Sequence, residues 1–364
     1  PITDLTPMSL PALLTGHGGE YADMLTVDPD GTVRLTQTAG SILPEAGHVT
    51  VSGNVTSTGE HGGHIAVLGT QVSLMDATVT ADGVNQGGHI YIGGNYQGAG
   101  PLPNASQTWV DRGTVLSANA LRQGEGGEVI VWADATTQFS GSAHAQGGKI
   151  SGDGGFIEIS GNSGLSFDGT FDVSAVKGSF GSILFDPDNI EIINGTGASN
   201  GDTELAAPMS GTVIANDGDN GWFTLHENTL ESWDGDTNIL LQANNSIIVR
   251  NLGGDNTLSF QPGSGSITFT ADANDNGIGI FLVEKAGDLI STAGRDINIS
   301  GFTVGLETID TRSATGTGDI NLIAPLLGYV KGTLDAENIT FRGNELNLNG
   351  GSNSIRGTTL SIVP

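Results

Sequence analysis

The chain has 364 residues, 58 of them glycine and none cysteine, and carries 40 acidic against 12 basic side chains for a formal net charge of −28. Such a charge repels phosphate backbones and anionic lipid, so no nucleic-acid partner is expected. No apolar stretch approaches the roughly 20 residues that cross a bilayer, so no membrane insertion is expected either. Short Val, Ile, Leu and Thr runs between Gly, Asn and Asp favour narrow strands and tight turns over helices.

The opening, through about Gly40, reads as irregular, with one strand-like run at Thr32-Val33-Arg34-Leu35-Thr36 after the turn Asp28-Pro29-Asp30-Gly31. It begins Pro1-Ile2-Thr3-Asp4, without the basic region of a signal peptide, so any targeting segment is expected upstream. The absence of cysteine favours export, because a premature disulfide would block passage of an unfolded chain.

Four stretches then repeat one idiom: Gly62-Gly63-His64-Ile65-Ala66-Val67, Gly87-Gly88-His89-Ile90-Tyr91-Ile92, Gly126-Gly127-Glu128-Val129-Ile130-Val131 and Gly154-Gly155-Phe156-Ile157-Glu158-Ile159. Each is a glycine pair, read as a turn, followed by a strand that sends every second side chain inward. A strand so short cannot bury its apolar face alone. Each coil must be covered by the coils before and after it, which makes the expected architecture all-β, a solenoid of the parallel β-helix type. Gly47-His48-Val49 and Gly181-Ser182-Ile183 are weaker members at the front and back. His48, His64 and His89 hold the same place in three coils and are expected to form a solvent-side ladder, a common feature of stacked strands and, alternatively, a metal or pH-responsive row.

Residues 95–111, with Pro101 and Pro103, read as a loop pushed out from the column. Tyr96 and Trp109, with Asn95 and Gln97, are the candidate glycan-binding residues there, because aromatic rings beside amides stack on sugars; plain packing is the alternative. Asp186 and Asp188 flank Pro187 where the repeat style changes and read as a turn rather than a catalytic pair.

Beyond that point Asn and Asp take over the turns. Residues 194–220 read as an insertion, followed by a short helix in which Leu225, Thr229 and Trp233 sit four apart. Trp222 and Trp233 are expected to seal this segment against the column. Coils resume at Thr237, Gly265, Arg295, Gly318 and Glu337. The resulting division is 1–185 as glycine-pair-rich β-helix, 186–236 as an insertion with a short helix, and 237–364 as an Asn/Asp-rich continuation. The last strand-like run, Thr359-Leu360-Ser361-Ile362-Val363, lacks a polar cap, so further chain or another subunit is expected to cover it.

Asp272, Asn274 and Asn276, with Gly277 in sixth place, match the first half of a calcium loop, and calcium is the one cofactor suggested. Val283 stands where the bidentate glutamate belongs, which excludes an EF-hand. Asp217, Asp219 and Gly221, and Asp234 with Asp236, are weaker oxygen clusters. Asx turns that bond their own backbone account for all of these equally. No ordered nucleophile-base set stands out, so an enzyme is not expected.

The runs Gly127-Glu128-Val129-Ile130-Val131-Trp132-Ala133-Asp134, Gly154-Gly155-Phe156-Ile157-Glu158-Ile159-Ser160-Gly161, Leu184-Phe185-Asp186-Pro187-Asp188-Asn189-Ile190 and Ser266-Ile267-Thr268-Phe269-Thr270-Ala271-Asp272 resemble the large filamentous-haemagglutinin-like exoproteins of two-partner secretion. The likeness extends over roughly residues 45–364. It implies a right-handed parallel β-helix, export through a partner barrel in the outer membrane of a Gram-negative-type bacterium, and a secreted or cell-surface adhesin acting in attachment, aggregation or biofilm formation. Its partners would be host or neighbouring cell surfaces or glycans. The Asn-Pro-rich secretion signature of that family's N-terminus is not found, so an internal or processed piece is expected. Two alternatives stand beside this: an extracellular filament built by head-to-tail stacking of identical chains, and a polysaccharide-degrading β-helix enzyme.

Overall fold

The computed structural model describes residues 24–27, 33–36, 47–196, 221–314 and 316–364. The chain divides into two units, Pro1–Glu45 and Ala46–Pro364. In the first, Met24–Val27 pairs antiparallel with Val33–Thr36, so the opening holds a second strand beside the expected one.

The second unit is a parallel β-helix. Its spine is an eleven-stranded sheet running from His64–Val67 to Thr359–Val363, with strand order following the chain from rung to rung. Register is strict: Ile65, Ile90, Val129 and Ile157 stand opposite one another, then Ile183 and Ile239, then Ile267, Ile297, Ile320 and Ile339. All of these side chains are buried and belong to one hydrophobic cluster that also contains Val72 near its start and Phe341 near its end. Period-two alternation alone decides which side of each strand enters that cluster.

Two further faces close each coil. In the front part both belong to one eight-stranded sheet, because the ten-residue strand Gln71–Thr80 bends in its middle. Its first half pairs with Gln107–Val110 and its second with Val115–Ser117. The bend falls at Asp76, whose φ is +49°, and the carboxylate of Asp111 accepts its N–H at 3.0 Å. Farther along, the two faces separate into a seven-stranded and a five-stranded sheet.

The glycine pairs differ from the expected turn chemistry. None of the eight pair glycines from Gly62 to Gly155 has positive φ. What excludes a side chain is the neighbouring coil: a Cβ on Gly127 would lie 2.0 Å from the carbonyl oxygen of Gly88, and one on Gly155 2.0 Å from that of Gly127. The close approach lets Glu128 N–H reach Gly88 O, and Phe156 N–H reach Gly127 O, at 2.9 Å each.

The described residues of 186–236 contribute two strands to the column. Asn189–Ile193 is a rung of the seven-stranded sheet, and Phe223–His226 pairs with it on the side away from Ser246–Val249. The chain therefore steps back one rung before continuing. The expected helix is present at Glu227–Glu231, shorter than the Leu225 to Trp233 spacing indicates, because Leu225 is already committed to the strand. Trp233 stacks on Phe185 at 5.6 Å and meets Phe171 edge-on at 5.2 Å, sealing the column at this break. Trp222 lies outside, under the guanidinium of Arg250. Among the described residues no helix is long and apolar enough to cross a membrane.

Candidate functional site

The loop after Ile92 is not pushed outward. It folds back over the outer face of the long sheet through a single 3₁₀ turn, Tyr96–Gly98. Asn95 Oδ1 accepts the Tyr96 N–H at 2.7 Å and starts the turn. Gln97 then takes a left-handed conformation, φ +51° and ψ +32°, which is costly for a residue with a Cβ and needs compensation from its surroundings. Two contacts supply it. The Gln97 N–H donates to both carboxylate oxygens of Glu158, at 3.2 and 3.1 Å. Its side-chain amide donates to Gln242 Oε1 at 2.6 Å. Gly98 lies flat on the Trp132 ring, where a Cβ would come within 2.6 Å. Trp132 in turn donates from Nε1 to Asp134 Oδ1 at 3.0 Å, and Asn104 Nδ2 reaches the same oxygen at 2.8 Å, pinning the far end of the loop.

This cover explains an otherwise anomalous residue. In the strand Phe156–Gly161 alternation sends Ile157 and Ile159 inward and Glu158 outward, yet Glu158 is 0 % exposed. Burial pushes its carboxyl up to about 8, with Asp186 and Glu128 adding to the rise and the hydrogen bonds from Gln97 and Ser160 opposing it. Asp186 is raised to about 6, chiefly by burial and then by Asp188, with the nearby Gln97 amide opposing the rise. Two carboxyls with displaced affinities for protons usually mark acid-base chemistry. Here the one that holds its proton at neutral pH is sealed beneath the loop and its oxygens face a backbone N–H. The arrangement stores a proton and clasps the turn.

On the neighbouring rungs His64 stands opposite His89, with ring centroids 6.1 Å apart, and the row passes on to Glu128 and Phe156. His48 is not part of it. It stands opposite Gln71 in the eight-stranded sheet, because its strand enters the column on a different face. Burial, then the charge of His89, lowers the His64 imidazole, while Glu128 acts in the opposite sense. Tyr91, beside them, is raised by burial and by its hydrogen bond to Glu128.

Tyr96 and Trp109 are not brought together. Tyr96, 44 % exposed, packs edge-on against Phe156 over the long sheet at 5.8 Å. Trp109 lies in the strand Gln107–Val110 of the eight-stranded sheet, opposite Ser73 and Gln138. Asp272, Asn274 and Asn276 do form one turn, but their oxygens point at its own backbone. Asp272 Oδ1 accepts from the N–H of Asn276 and of Gly277 at 3.1 Å each, Asn274 Oδ1 from Asn276 at 3.3 Å, and Asn276 Oδ1 from Ile278 at 3.1 Å. Among the described residues no group of three or more His, Asp or Glu is placed to hold a metal ion. Asp217 and Asp219 lie outside the described residues. Asp234 and Asp236 bond backbone N–H groups of their own and the next coil.

Two important residues gave no local signal. Glu158 sits 61 positions from the Gln97 that covers it. Arg295, marked in the sequence only as the start of a coil, is 2 % exposed and donates to the carbonyls of Thr237 at 2.7 Å and Gly265 at 2.8 Å. No protein-family model matches the chain, and no curated protein matches it.

Proposed function

We propose that the chain is a stiff, secreted or surface-displayed segment whose work is attachment, in keeping with its resemblance to filamentous-haemagglutinin-like exoproteins. The observation that carries this reading is the unbroken register from Ile65 to Ile339 around a single apolar column. Every coil is hydrogen-bonded to its neighbours along whole strands, which resists bending and pulling. The acidic coat keeps such a column of coils soluble and discourages edge-to-edge association. Export through a partner barrel in the outer membrane belongs to the same proposal, since a cysteine-free chain that folds rung by rung suits passage in an extended state.

The sealed Glu158 favours this over a polysaccharide-degrading enzyme. Electron microscopy of the purified chain, with bead-attachment to bacterial cells, tests the reading. Isolated rods and bead attachment above that of an unrelated acidic protein are expected. Long uniform fibres would transfer the proposal to the head-to-tail filament, and product release from a polysaccharide panel would overturn it in favour of the enzyme.

A further inference from the structure

Between the Tyr96–Gly98 turn and the rungs behind it lies a groove of about 330 Å³, walled by Gln97, Trp132, Asp134, Asn162, Asp186 and Asn244. That volume falls at the small end of ligand sites. Most of its polar atoms are already paired within the protein. Asp134 Oδ1 holds the Trp132 and Asn104 N–H groups. Asn244 Nδ2 donates to Asn162 Oδ1 at 2.8 Å and to Asp188 Oδ1 at 3.0 Å. One atom stands apart: Asp186 is 6 % exposed, lines the groove, and its Oδ1 has no hydrogen-bond partner among the described residues. A buried carboxylate oxygen without a donor is destabilising, and a ligand that brings a donor relieves it.

The surroundings select among donors. An anionic ligand would meet Asp134, Asp186 and Asp188 together. A divalent cation wants six or more oxygens, whereas here Asp134 Oδ1 and Asn162 Oδ1 already take N–H groups. A hydroxyl needs one acceptor, and a ring bearing several hydroxyls suits a wall that mixes carboxylate and amide edges. We propose that this groove binds one neutral sugar ring of a glycan, with Asp186 Oδ1 accepting from a ring hydroxyl and Asn162, Asn244 and Asp134 bordering the others. Trp132 is 5 % exposed beneath Gly98 and serves as wall rather than stacking platform, so recognition goes through hydroxyls. The proposal rests on the adhesive reading and adds a ligand class and a place.

The test applies the purified chain and its Asp186→Ala variant to an array of neutral and acidic glycans. Hydrogen exchange of the wild-type segment 95–105 is followed with the best-bound glycan, and thermal unfolding with calcium alone. Expected are retention on at least one neutral glycan, a loss of tenfold or more in Asp186→Ala, and slowed exchange in 95–105. Should the variant fail to fold, exchange in the wild-type chain decides. No retention on neutral glycans, retention on acidic ones only, a calcium-induced rise in Tm that Asp186→Ala abolishes, or neutral-glycan binding that leaves 95–105 unprotected would each overturn it. Bead attachment to cells is measured in parallel: attachment without groove binding sinks the groove and spares the adhesive reading, and loss of both sinks both.

Discussion

Glu158 shows how a single side chain ties the loop to the column. Its carboxyl binds a proton far more tightly folded than unfolded, so the folded state carries more protons between the ordinary carboxylate range and about pH 8. Stability must therefore fall as pH rises through that window, and Asp186, raised to about 6, adds to the fall at its lower end. The Glu158 contribution is about 5 kcal/mol in full. Denaturant unfolding across pH 4.5–8.5 measures it. Glu158→Gln, which keeps the shape without the charge, should be more stable than the wild type at pH 8 and should flatten the slope; an unchanged slope would mean the carboxyl is not held in this environment. Arg295 makes the complementary case. Burial lowers its guanidinium to about 10, leaving it charged at neutral pH, where it caps inward carbonyls of two coils and lies over the Phe260 ring at 5.8 Å. Arg295→Met keeps the apolar stem but orphans those carbonyls, and a loss of about 3 kcal/mol is expected in equilibrium unfolding.

At the scale of elements, the return corners of the front coils are backbone stacked on backbone. Gly127→Ala places a methyl group into the Gly88 carbonyl and should cost about 2–4 kcal/mol. Gly254, with nothing within 4 Å of its would-be Cβ, is the control; Gly254→Ala should be neutral or stabilise by a few tenths of a kcal/mol. Equal effects at both positions would show that chain entropy, not coil approach, sets the preference for glycine. The Asp272–Gly277 turn makes a third expectation. Because its oxygens are engaged by its own N–H groups, millimolar calcium should leave Tm unchanged, and a rise abolished by Asn274→Ala would reverse that view.

Across the whole molecule, what could be read from the sequence was what repeats locally. The alternation after each glycine pair placed Ile65, Ile90, Val129 and Ile157 in one column, and the Asn/Asp-rich starts placed Ile267, Ile297, Ile320 and Ile339 in the same one. What could not be read depends on contacts between distant segments. Glu158 looked solvent-facing because its cover arrives from 61 residues away. His48 resembled His64 and His89 in its neighbours but enters on another face. Phe223–His226 steps back beneath Asn189–Ile193, an order that no periodic pattern encodes. The candidate site was thus visible only as pieces: Gln97, Trp132 and Asp186 each lay in a quoted motif, and folding alone assembled them.

Successive coils sit directly upon one another in strict register. The cysteine-free chain makes this directly measurable by oxidising engineered pairs. Thr268 stands opposite Asn298, and Asn298 opposite Asn321, within disulfide reach for adjacent strands. Thr268→Cys with Asn298→Cys, and Asn298→Cys with Asn321→Cys, should each close to completion without lowering Tm, while the shifted pair Thr268→Cys with Ser300→Cys stays open. Closure of the shifted pair, or failure of both in-register pairs, would contradict the column.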